Sequence, residues 1–128
     1  MFELLEAEIE GMEIPIDRAA LVEVFGLLDR LQATVAAAVG AFDEAELWDL
    51  DGATSMTAWL RAAAGLSAKD AARTTRTARR LRQLPVTAAA WRDGTLCSGQ
   101  VQAIVANVPD EAVEQFATEE TGLVPLLA

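Results

Sequence analysis

The sequence predicts an all-α protein, a bundle of about six to eight helices. Three observations predict it. Apolar residues in the first third recur at helical spacing over more than five turns. Hydrophobic residues make up 52% of the chain, much of it alanine, while aromatics are 5% and tyrosine is absent. Alanine favours helices and close helix packing, and so few aromatics would leave a β-sandwich core underfilled. No alternating polar and apolar stretch is long enough for a strand.

The elements follow in chain order. Phe2 to Ile9 reads as a short helix ending at Gly11. A long helix should run from about Asp17 to about Glu46. It carries Leu21, Val24, Phe25, Leu28, Leu31, Val35, Val39 and Phe42 along one face, with Gly26 and Gly40 weakening it locally. Asp51-Gly52 breaks the chain, and Ser55 caps a helix that Gly65 closes. Ser67 caps the next, from about Ala68 to Leu84, ended by Pro85. A short helix follows up to Gly94, then one capped by Ser98 that stops before Pro109. A last one opens on Asp110 and Glu111, acids suited to a helix N-terminus, and ends near Gly122. The closing "LVPLLA" begins a new apolar element without a cap. Residues 1–128 are therefore expected to be one helical domain, the truncated N-terminal part of a longer chain.

The net charge of -10 is distributed unevenly. Residues 1–60 hold 13 acids and 2 bases, residues 61–92 hold 8 bases and 1 acid, and residues 93–128 hold 6 acids and no base. The basic middle is concentrated in "AKDAARTTRTARRLRQL". At about 100° per residue, Lys69, Arg73, Arg76 and Arg80 fall within a stripe about 60° wide. Arg79 flanks the stripe. Ala71, Thr74, Thr75, Ala78 and Leu81 lie opposite. Arg82 falls on the apolar side, where it must snorkel or find a carboxylate. No glutamate neutralises this helix, and Asp70 beside Arg73 is the one local acid. The arginine fork suits carboxylate and phosphate alike. Two partners fit: the acidic long helix, in the same chain or a dimer mate, or a row of phosphates.

"AWLRAAAGLSAKDAARTTRTA" reads as helix, glycine turn and basic helix. That is the plan of a helix-turn-helix, and equally of an ordinary αα-hairpin. Arg61 and Ala71 depart from the usual helix-turn-helix residue types at their positions.

The chemical inventory excludes much. With no His and the single Cys97, there is no Cys-His nucleophile pair, no usual zinc set and no internal disulfide. Phosphate-loop and dinucleotide glycine motifs are absent. The acids Asp43, Glu44, Glu46, Asp49 and Asp51 lack the spacing of a calcium loop and read as a solvated helix end. Trp59 and Trp91 sit in apolar contexts and are expected in the core. No uninterrupted apolar run reaches the roughly 18 residues of a membrane span, and the acidic N-terminus is unlike a secretory signal. A cytoplasmic protein without cofactor or membrane partner is expected.

The stretch "LDGATSMTAWLRAAAGLSAKDAARTTRTARRLRQLPVTAAAWRDGTLCSGQVQAIV" resembles the actinobacterial domain-of-unknown-function family 222, the thirteen-E-twelve repeat family. Asp51-Gly52, Ser55, Trp59-Leu60, Gly65-Leu66-Ser67, Ala71, Leu84-Pro85, Thr87, Gly94, Leu96, Ser98 and Gln100-Val101 carry the resemblance, which spans roughly Leu28 to Val108. It implies a domain commonly found ahead of an HNH endonuclease domain, in a nucleic-acid-directed context. Without histidine, this chain does not contain that nuclease. The leading expectation is a noncatalytic module that meets DNA through Lys69, Arg73, Arg76, Arg79 and Arg80. The alternative is an interaction or homodimerisation module in which acidic and basic helices pair.

Overall fold

The computed structural model describes residues 1–128 and contains seven α-helices and no strand. They are α1 (Glu3–Glu10), α2 (Arg18–Glu44), α3 (Met56–Ala63), α4 (Ala68–Arg82), α5 (Pro85–Asp93), α6 (Ser98–Asn107) and α7 (Val113–Leu127). Short 3-10 turns at Leu47–Asp51 and Asp110–Ala112 join α2 to α3 and α6 to α7.

The caps follow from residue chemistry. The Asp17, Ser55 and Ser67 side chains accept from the backbone N–H groups of Ala20, Ala58 and Asp70, starting α2, α3 and α4. At Gly65 the backbone turns left-handed (φ +73°), and the Leu66 N–H returns to the Leu60 carbonyl. That reversal folds α3 back onto α4, where the Thr57 hydroxyl donates to the Thr75 hydroxyl at 3.0 Å.

α4 is the central helix, packed by α2, α3, α5 and α6. One buried cluster joins Val39, Met56, Leu60, Ala71 and Ala78 beneath α3. A larger one gathers Leu84, Trp91, Leu96, Val101, Ile104 and Val124 from α5, α6 and α7 against Ala33 and Ala36 of α2. Small residues set the spacing between α2 and α4. A methyl group on Gly40 would stand 3.4 Å from the Arg82 side chain and 3.5 Å from the Ala78 carbonyl.

Several boundaries differ from the sequence reading. α2 stops at Glu44, because Glu46 takes a left-handed backbone (φ 52°) into the 3-10 turn. Ser98 is the first residue of α6 rather than its cap. Its hydroxyl accepts from the Trp91 indole N–H and donates to Gln32, while the Gln100 side chain accepts from the Cys97 N–H. α7 does not end at Gly122. It continues through Pro125, since burying Glu120 and Val124 outweighs a missing proline N–H in the last turn.

The long helix differs most. Only its C-terminal half is buried, through Ala33, Ala36, Val39, Gly40 and Asp43. Leu21, Phe25, Leu28, Leu31 and Val35 of the expected core stripe are exposed. By length and composition α2 is also apolar enough to cross a membrane, although charged residues interrupt it. Its C-terminal half is held between α4 and α5.

Candidate nucleic-acid interface

The helical period of α4 sorts its residues as the sequence suggests. Ala71, Thr75, Ala78 and Leu81 are buried, and Lys69, Arg73, Arg76 and Arg79 are exposed. What the period does not determine is which cations the rest of the fold neutralises. Lys69 and Arg76 are exposed and make no ion pair. Arg73 bonds Asp70 at 2.7 Å, with both side chains about half exposed, an interaction worth little in water.

The other three arginines are engaged. Arg79 grips Asp43 of α2 with Nε–Oδ2 at 2.7 Å and Nη2–Oδ1 at 3.2 Å. Arg82 reaches the same carboxylate at 3.7 Å and Glu44 at 3.9 Å, and donates to the Gly40 carbonyl. The carboxylate expected for Arg82 from its place on the helix is therefore Asp43, with Glu44 beside it. Arg80 leaves the open stripe. The Arg80 side chain is 13% exposed and paired with Asp110 in the segment after α6, whose own side chain stays in solvent. Its Nε is buried without a hydrogen-bond partner.

Asp43 is not part of a solvated helix end. Its side chain is 5% exposed. Its Oδ1 also accepts from the Trp48 indole N–H at 3.2 Å. The Arg79 hydrogen bonds hold its carboxyl below the usual carboxylate range, opposed by burial and aided by the charges of Arg79 and Arg82 and by Trp48. The same pairing raises Arg79. Sequence reasoning missed this residue, yet a signal was present. Ala36, Gly40 and Asp43 recur at the spacing of the buried face of α2.

The tryptophans divide accordingly. Trp91 is buried in the larger cluster. Trp59 is half-buried, tilted against Phe42 with ring centroids 4.5 Å apart, and donates to Asp51 at 2.8 Å. None forms an exposed stacking platform on α4.

Beside α4 lies an open groove of about 760 Å³, lined by Arg76, Arg79, Arg80 and Arg82 with Glu44 and Asp110 at its edges. No three His, Cys, Asp or Glu side chains converge as a metal site. Cys97 is exposed and unpaired.

Fold and site together define an all-α domain built round a central basic helix, half of whose cations are neutralised from within. The chain belongs to the family described as "Domain of unknown function (DUF222)", which it matches over residues 18–121. Comparison with the curated proteins and with the solved structures gives no match.

Proposed function

We propose that this domain is a noncatalytic DNA-binding or DNA-targeting module that works in the cytoplasm beside a linked HNH nuclease domain of a longer protein. The observation that carries the reading is the exposed N-terminal half of α4. There Lys69, Arg73 and Arg76 face solvent without a buried carboxylate. Arg79 borders them and opens onto the basic groove. The glycine turn folds α3 onto the opposite side of α4, through Ala71 and Thr75, so Lys69, Arg73 and Arg76 stay open to solvent. The surrounding acidic surface repels a polyanion everywhere else, which restricts contact to this face.

The pairings of Arg79, Arg80 and Arg82 reduce the expected footprint. Lys69, Arg73 and Arg76 can neutralise about three phosphates, so log K should fall with log[salt] at a slope of about -2.7. Fluorescence anisotropy of a labelled duplex titrated at several salt concentrations measures this. Arg73→Gln with Arg76→Gln should flatten the slope by about 1.8, with the far-UV circular dichroism unchanged because both side chains are exposed. Equal binding by the double variant and the parent would remove α4 as the DNA site.

The specific observation for the second reading is the contact of Asp43 and Glu44 with Arg79 and Arg82. Acidic and basic helices do pair here, within one chain. An interaction module that uses this pairing between chains would have to exchange these contacts for their equivalents in a partner.

A further inference from the structure

The N-terminal quarter of the molecule has no partner. Across residues 1–32 no residue is buried, and only Ala20, Val24 and Asp29 are even half-buried. A compact protein of 13.6 kDa exposes about 6,600 Å², whereas this chain exposes 8635 Å². The excess of about 2,000 Å² falls in the range that one protomer of an obligate homodimer buries.

The exposed face of α2 has a specific pattern. Leu21, Val24, Leu28, Leu31 and Val35 are spaced 3, 4, 3 and 4 residues apart. This is the alternation of a coiled-coil seam, whose period of 3.5 keeps one stripe facing a partner helix. The seam lies about 100° round the helix from the face that packs on α4 and α5, and Leu28, Leu31 and Val35 border an open groove that they share with Arg73 and Thr74 of α4. Along it Leu21, Leu28, Leu31 and Val35 are each 42% to 49% exposed.

We infer that α2 is a dimerisation helix, and that the seam from Leu21 to Val35 packs against the same seam of a second copy of this chain. The flanks select that occupant. The positions beside the seam, where charges usually determine partner choice, are Ala20, Phe25, Leu27, Gln32 and Thr34. None is charged. Two identical acidic chains therefore meet without repulsion at the contact, and Glu23, Asp29 and Arg30 point away from it. An anionic lipid surface does not fit, because residues 1–31 hold eight acids and two bases. Phe2 with Leu5 and Ile9 of α1 forms a further exposed apolar stripe. The inference does not depend on the DNA reading.

Sedimentation equilibrium on the whole chain at about 50 μM, where a dissociation constant of 1 μM corresponds to about -8 kcal/mol, should return twice the 13.6 kDa chain mass. Leu28→Glu with Leu31→Glu should weaken association at least 100-fold and pull the average mass well below that of the dimer, with helicity retained. Val22→Glu, exposed on the same helix but off the seam, should remain dimeric. A native chain sedimenting at 13.6 kDa overturns the inference. So does a dimer that survives Leu28→Glu with Leu31→Glu, one dissociated equally by Val22→Glu, or a monomer that floats with zwitterionic or anionic vesicles.

Discussion

Replacing Asp43 by Asn removes one charge and keeps the shape. The Asn carbonyl can still accept from Trp48, but Arg79 and Arg82 lose their shared counterion. Breaking a fully buried pair costs about 3–5 kcal/mol, and an exposed pair contributes about 0–1 kcal/mol. Here the carboxylate is 5% exposed, while Arg79 is 51% and Arg82 33% exposed. Solvent screening at the arginines puts the expected loss between those limits, at about 1.5–3 kcal/mol. In a domain of this size that lowers Tm by about 5–12 °C. The pH dependence identifies the cause. Since Asp43 titrates below its unfolded value, its stabilising contribution is complete above about pH 4 and is lost as pH falls through the folded value. Thermal unfolding followed at 222 nm should show the full gap between parent and variant at pH 7 and pH 5. The gap should close in strong acid, where both side chains at this position are neutral. A gap below about 0.5 kcal/mol at pH 7, or one that persists undiminished at about pH 2, would refute the assignment of a charged anchor to Asp43.

The same Asp43→Asn variant, if α4 meets DNA, should bind duplex more tightly than the parent, with a steeper salt slope, because Arg79 is released; unchanged anisotropy would count against that face. Glu120→Ala should destabilise the bundle by about 1–3 kcal/mol in urea unfolding, since Glu120 is buried and its side chain is the acceptor of the buried Thr87 N–H at 2.6 Å. Gly65→Ala should cost about 1–2 kcal/mol from the left-handed backbone alone, because no atom lies within 4 Å of the added methyl; a larger loss would mean that the α3–α4 turn tolerates no backbone adjustment.

Much of the fold was legible because local chemistry decides it. Ser55, Ser67, Gly65 and Gly94 punctuate the chain where the structure starts or ends helices. The helical period also put Arg82 on the apolar side, where of snorkelling and pairing the fold gives pairing with Asp43, and it put Arg73 beside Asp70. What was not legible depends on distant segments. Arg80 lies within the basic stripe by angle, but a helical wheel carries no information that Asp110, 30 residues later, will pair with it. Asp43 occupied the buried spacing of α2 and was hidden among neighbouring acids. The end of α7 was obscured because Gly122 and Pro125 are breakers by propensity, while Glu120 and Val124 are held by α5 and the core. Periodicity identified the apolar face of α2 and could not tell how much of it the same chain would cover.

The contact between Glu120 and Thr87 has a consequence in time. α5 has no side-chain cap of its own, and Thr87 N–H waits for a carboxylate 33 residues downstream. At a synthesis rate of about 5–20 residues per second, the start of α5 leaves the ribosome about 2–7 s before its acceptor does. During that interval α2 to α4 can already associate, while α5 can form only a frayed first turn. Completion of the core is thus tied to arrival of α7, and a chain released before residue 120 would present Leu84 and Trp91 to whatever chaperone is nearest.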